Sequence, residues 1–158
     1  MSTDAGPATT TRPTTQRSAS FAELDAGTLY ALLKLRVDVF VVEQECAYPE
    51  LDGRDTEPDT RHLWLEDDHG PAAYLRILAD PDDVARIGRV VVRADARGRQ
   101  LAGQVMAAAL TEIGDRAGIL SAQAHLVGFY RRFGFVPTGP EFLEDGIPHL
   151  PMARPAAR

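Results

Sequence analysis

The chain has one cysteine, Cys46, in 158 residues. A single thiol forms no intramolecular disulfide and no multi-cysteine zinc site, and it gives no sign of an oxidising compartment. Its expected role is that of a small buried apolar residue. Long apolar runs are missing too. No stretch approaches the ~18 residues of a membrane span and the N-terminus has no apolar signal core, so the expectation is a cytoplasmic protein. Positive charge is in short supply: 17 Lys and Arg stand against 23 Asp and Glu, a net charge of −6. This argues against general attraction to DNA, RNA or an anionic membrane and points to a small-molecule partner. Residues 1–20, rich in Thr, Ser, Ala and Pro, lack the large apolar side chains that would offset the entropy of ordering. The expected organisation is a disordered leader over 1–20 and a single domain over 21–158.

Within that domain the apolar periodicity changes along the chain. From Thr28, Leu29, Leu32, Leu33, Val37 and Phe40 recur at three- and four-residue spacing, which predicts a helix. Tyr48 to Asp55 combines Pro, Gly and Asp and continues as polar loop to Thr60, long enough to wall a substrate site. Arg61 to Glu66 and Ala72 to Leu78 read as a hairpin around Asp67-Asp68-His69-Gly70-Pro71, and Val84 to Ala94 as a third strand. A helix over Leu101 to Ala117, a strand over Ile119 to Ala124, a short helix over Leu126 to Phe133 and a last strand near His149 to Arg154 complete the order. Several strands followed by two strand-to-helix crossings predict an α/β (α+β) domain, a mixed sheet with helices on its faces.

The run Arg89-Val90-Val91-Val92-Arg93-Ala94 is followed by Arg97-Gly98-Arg99-Gln100-Leu101-Ala102-Gly103. A strand, a glycine-bearing turn and a helix start make an anion site, because the first N–H groups of a helix lack partners and point at the turn. The turn has no Gly-Lys-Ser/Thr, which excludes a Walker nucleotide site, and lacks the three glycines of the dinucleotide fingerprint.

The turn resembles the pyrophosphate loop of the GNAT superfamily of acyl-CoA-dependent N-acetyltransferases, with the pattern Arg/Gln-x-x-Gly-x-Gly/Ala after a valine-rich strand. Arg97, Leu101 and Ala102 fit, and Gln100 stands where the first glycine is usual. Ser121 to Phe135, which contains Phe129-Tyr130-Arg131-Arg132-Phe133-Gly134-Phe135, looks like the superfamily's strand and helix ending in Phe-Tyr-x-x-Phe-Gly-Phe. Leu29 to Arg36 with Val39-Phe40-Val41-Val42-Glu43-Gln44, then Tyr48 to Asp55, and Glu144-Asp145-Gly146-Ile147-Pro148-His149 look like the ElaA branch.

The resemblance implies a GNAT fold whose mixed, mostly antiparallel sheet splays at its middle, and transfer of acetyl from acetyl-CoA to a primary amine. It implies that the CoA diphosphate lies on the backbone of Arg97, Gly98, Arg99, Gln100, Leu101, Ala102 and Gly103. The pantetheine arm then pairs with Val90 and Val92 and with Gln123, which takes the place of a family asparagine. It makes Tyr130 the general acid for the departing thiolate and the Val92 N–H the oxyanion donor. The general base stays open: Glu43 comes first, because it lies in the ElaA-like run, then His125, with Glu45, Asp52, Asp55, His62, His149 and a water relay as alternatives. Spacing of His62, His125 and His149 does not fit a metal motif, so no metal is expected. Glu50, Asp52, Asp55, Glu57 and Asp59 suggest a cationic acceptor, a small molecule or a peptide. A homodimer, a non-catalytic acyl-CoA sensor and a cofactor-free interaction domain are the remaining alternatives.

Overall fold

In the computed structural model, which describes residues 12–157, the hairpin and the third strand form a meander: β2 (Arg61–Asp67), β3 (Gly70–Asp80) and β4 (Val84–Val92). Ala72 to Leu78 of β3 are all buried, as expected of a strand covered on both faces. One face packs Leu63, Leu75 and Ile77 against Val105, Met106 and Ala109 of α2 (Leu101–Ile113). The other packs Trp64, Tyr74 and Val91 against Leu32 and Leu35 of α1 (Ala26–Arg36). Beyond β4 come β5 (Gly118–Gln123), α3 (Val127–Arg131), β6 (Val136–Pro137), β7 (Phe142–Glu144) and β8 (Ile147–Arg154). β5 is parallel to β4 and β8 is antiparallel to β5; β6 and β7 both pair with β8.

The leader expected over 1–20 is corrected in part. Thr15–Ala19 form β1, an antiparallel edge strand on β2, with Arg17 Nε 2.6 Å from Glu66 and the Ser18 hydroxyl donating to Glu112 at 3.0 Å. Four of its five residues are exposed, so it has no apolar alternation to read. Residues 1–11 lie outside the described part. The first helix starts where Asp25 caps it, accepting from the Thr28 N–H at 2.7 Å. After Arg36 it widens into a π-helix over Val37–Glu43, a rare geometry that recurs at functional sites.

The loop that follows has little regular structure, and buried ion pairs fix it to the sheet. Arg36, 1 % exposed, donates through Nε to Glu50 at 2.8 Å and through Nη1 and Nη2 to Asp55 at 2.8 and 3.1 Å. Arg76 of β3 reaches Asp55 at 3.0 Å and Asp52 at 2.9 and 2.5 Å. Burial alone would raise the Asp55 carboxyl, but the two guanidiniums outweigh it and hold it below its ordinary range. Hydrogen bonds from Arg76 lower Asp52 likewise. His62 lies beneath, with Nε2 3.0 Å from the Asp55 carbonyl and Nδ1 2.7 Å from the Tyr74 hydroxyl. A carbonyl only accepts, so Nε2 carries the proton and Nδ1 accepts from Tyr74; burial lowers the pKa of this neutral ring.

Two expectations follow. Arg36→Met leaves Glu50 and Asp55 buried without their main partner and should cost about 3–5 kcal/mol in urea unfolding; a loss below about 1 kcal/mol would refute the anchoring role. On acidification, stability should first decline below about pH 6.5, where the unfolded His62 takes up a proton that the folded ring refuses. It should decline again below about pH 4, where the unfolded Asp52 and Asp55 protonate before the folded ones. Urea midpoints measured against pH for the native chain and His62→Gln check this, since the variant should lose the first decline and keep the second.

Candidate functional site

The site begins at a fault in β4. Tyr74 pairs with Val91 and Arg76 with Gly88, so Arg89 and Val90 together oppose Leu75 as a β-bulge. Arg89 takes φ 56, a left-handed backbone that costs a non-glycine residue about 1–2 kcal/mol. Its side chain is held by the Glu50 carbonyl, which accepts from Nη2 at 3.1 Å, and lies over the Tyr48 ring at 5.6 Å. Its Nε is 3.0 Å from the Glu50 carboxylate but too poorly aligned for a hydrogen bond.

β4 and β5 pair only at Ala85 with Gly118 and Arg86 with Ile119, then diverge. The Arg93 N–H donates to Ala72 of β3 at 2.8 Å, so strand alternation turns the Val92 and Val90 peptide groups away from β3, toward the gap. A cavity of about 330 Å³ opens there. Its lining includes Val90, Gln123 and Tyr130 together with Asp52, Arg76, Glu144, Asp145 and His149. Tyr130 is 6 % exposed and packs edge-on against Phe129 at 5.0 Å. Its hydroxyl has no hydrogen-bond partner among the described residues, and burial pushes its pKa up to about 12.

The phosphate turn lies at the same end of β4. Gly98 and Gln100 both adopt left-handed backbone, φ 81 and φ 59, and Leu101 anchors the start of α2 in the core. The first N–H bond closing the helix is from Gln104 to Gln100, which leaves the N–H groups from Gly98 to Gly103 free to meet an anion. Ala102 and Gly103 are half-buried in the first turn, where a Cβ on Gly103 would meet only the Phe133 ring at 3.9 Å. Arg97 is already engaged: its guanidinium grips Glu43 at 2.6 and 2.5 Å and touches the Val92 carbonyl at 3.3 Å. Arg99 makes no ion pair among the described residues and is the available side-chain cation.

Two residues expected at the chemistry are elsewhere. Glu43 is exposed, is lowered in pKa by its hydrogen bonds from Arg97, and does not line the cavity. His125 is exposed on the turn before α3 and does not line it either. The acidic loop is corrected for four of its five acids: Glu50, Asp52 and Asp55 are neutralised by Arg36, Arg76 and Arg89, and Glu57 pairs with Arg54 at 3.0 Å, while Asp59 makes no ion pair among the described residues and does not line the cavity. The paired carboxylates therefore give no net attraction to a cation. The residue underrated from sequence is His149, which the register of β8 places directly opposite Gln123. Among the described residues no group of three or more His, Cys, Asp or Glu could hold a metal, and no helix is long and apolar enough to cross a membrane.

A strand that bulges and leaves its parallel neighbour beside a helix start with free N–H groups is the architecture of acyl-CoA-dependent acyltransferases. Residues 32–155 match the acetyltransferase (GNAT) domain model, and the chain belongs to that family. It is 52% identical over 139 residues to the UPF0039 protein Rv2851c of Mycobacterium tuberculosis, covering 85% of this chain and 89% of that one. Protein ElaA of Escherichia coli is 45% identical over 141 residues, covering 84% and 91%, which places this chain in the ElaA-like branch. A crystal structure of an acyl-CoA N-acyltransferase from Pseudomonas aeruginosa superposes with a TM-score of 0.86 at 45% identity, covering 90% of this chain and 99% of the other.

The left-handed Gln100 gives a test of the turn. Gln100→Gly should raise stability by about 0.5–1 kcal/mol in thermal unfolding, the relief of a left-handed side chain less glycine's greater chain entropy. A lower melting temperature would show that the Gln100 side chain supports the turn.

Proposed function

We propose that the protein is an acetyl-CoA-dependent N-acetyltransferase in which a primary amine, of a small molecule or a peptide, attacks the thioester directly in a ternary complex. The observation that carries this reading is the shared cavity: a buried phenol without a partner and the unpaired edge of β4 face the same space. The diphosphate is received by the backbone N–H groups from Gly98 to Ala102, at the positive end of the α2 dipole, with Arg99 adding charge. The pantetheine amides pair with Val90 and Val92, and the Gln123 amide adds a hydrogen bond.

The Val92 N–H donates to the carbonyl oxygen as negative charge develops on it, a contribution of about 2.7–4 kcal/mol for one well-placed donor. Tyr130, like any tyrosine, carries its proton at neutral pH, and its unpaired hydroxyl on the cavity wall is available to the sulfur as the C–S bond breaks. No covalent acyl-enzyme is needed. The Cys46 thiol donates to the Asp145 carbonyl at 3.5 Å and, among the described residues, makes no side-chain hydrogen bond to a general base. The sheet from β1 onward and the helices on its faces act as one catalytic domain, and its need for acetyl-CoA fits a cytoplasmic setting.

Thiol release from acetyl-CoA across a panel of primary amines and peptides tests the activity, and silence across the panel would overturn it. Tyr130→Phe should lower kcat by about 10²-fold while CoA affinity, measured by calorimetry, stays within about twofold. Unchanged turnover would remove Tyr130 from the reaction.

A further inference from the structure

The acceptor end of the cavity has a proton acceptor that neither Glu43 nor His125 supplies. His149 is 9 % exposed and lines the cavity. Its Nδ1 is 2.7 Å from the Ile147 carbonyl, and since a carbonyl only accepts, Nδ1 carries the ring proton and Nε2 keeps its lone pair. Phe142 stacks on the imidazole at 5.9 Å and fixes its plane. Nε2 has no hydrogen-bond partner among the described residues, and a Glu144 carboxylate oxygen lies 3.5 Å away. In the β5–β8 register His149 sits opposite Gln123, so the two side chains share one face with Cβ atoms about 5 Å apart.

Charge divides the cavity in two. Asp52, Arg76 and Arg89 are matched within the buried cluster, and Arg86 pairs with Asp80 at 2.8 Å. Glu144 and Asp145, on the turn before β8, have no Lys or Arg partner among the described residues. Among the described lining residues the unbalanced negative charge therefore lies around His149.

Building on the acetyltransferase reading, we propose that His149 is the general base and that Glu144 and Asp145 select acceptors that arrive as ammonium ions. The ammonium docks against Glu144 and gives one proton to Nε2, forming an imidazolium that the adjacent carboxylate stabilises. The freed lone pair bonds to the carbonyl carbon, the C–S bond breaks, and the sulfur takes the Tyr130 proton. The second proton lost by nitrogen restores the phenol, and His149 returns its own to water. One ammonium and one thioester give one amide, one thiol and one released proton.

The test compares, at neutral pH, the full chain and its variants on propylamine, which is cationic, and 2,2,2-trifluoroethylamine, which is neutral and needs no deprotonation before attack. His149→Gln should lower kcat/KM for propylamine by about 10²-fold or more and for the fluorinated amine by about tenfold or less. Glu144→Gln should raise KM for propylamine about threefold to tenfold and lower its kcat by severalfold as the imidazolium loses its carboxylate, with a smaller loss of kcat/KM on the fluorinated amine. Equal losses on both amines in His149→Gln, or no preference lost in Glu144→Gln, overturn this proposal while the acetyltransferase reading stands. A native chain silent on both amines but active elsewhere in the panel overturns the selection proposed here and leaves the acetyltransferase reading standing, whereas silence across the whole panel overturns both.

Discussion

The buried Arg36 guanidinium is the fixed point of the molecule. It extends from the end of α1 into a space where water does not follow, and two carboxylates from one irregular loop close on it. Neither side is stable there alone, because an unpaired ion in a low-dielectric interior costs several kcal/mol. The loop from Gln44 to Thr60 therefore has one place to go. Arg76 from the centre of the sheet and Arg89 from the bulge complete the set, so three arginines meet Glu50, Asp52 and Asp55. The cluster ties together α1, β3, β4 and the wall of the cavity. Loss of any one charge would leave its partners poorly paired, and the bulge at Arg89, unfavourable by itself, is held by the same contacts.

That bulge connects packing to chemistry. Upstream of it, β4 pairs with β3 and β5 and is ordinary sheet; downstream, one of its edges has no neighbour. Peptide groups that would otherwise be satisfied by β5 are turned toward a cavity, and a flat polar chain of amides is what can satisfy them. The free helix start and the unpaired strand edge thus ask for the two ends of a single elongated molecule, phosphate at one and amide at the other.

Much of this was legible. The strand-like runs of β2 and β3 around their turn, the helical period of α2 and the Arg97-to-Gly103 turn are local signals, and the structure has those elements within a few residues of where the sequence places them. Two kinds of feature were not. β1 is stabilised by backbone pairing and surface ion pairs, so its composition reads as that of an unordered tail. The acids of the 48–60 loop read as solvated or substrate-facing because their partners are distant in sequence: Arg36 is 14 residues from Glu50, and Arg89 is 39. His149 was visible as a residue, but its position beside Gln123 is a product of strand register, which no single sequence displays. Glu43 lies in the expected run, and only the fold reveals that Arg97 occupies it.

The two margins of the sheet share a property. At one lies a five-residue strand carrying Arg17 and Ser18 in contacts with Glu66 and Glu112; at the other lies a two-residue strand that ends in Pro137, which has no N–H to offer. Neither rim presents a long row of vacant amides to a passing polypeptide. A further strand would find only a few residues to pair with at β1 or β6, which disfavours growth into β-linked fibrils there.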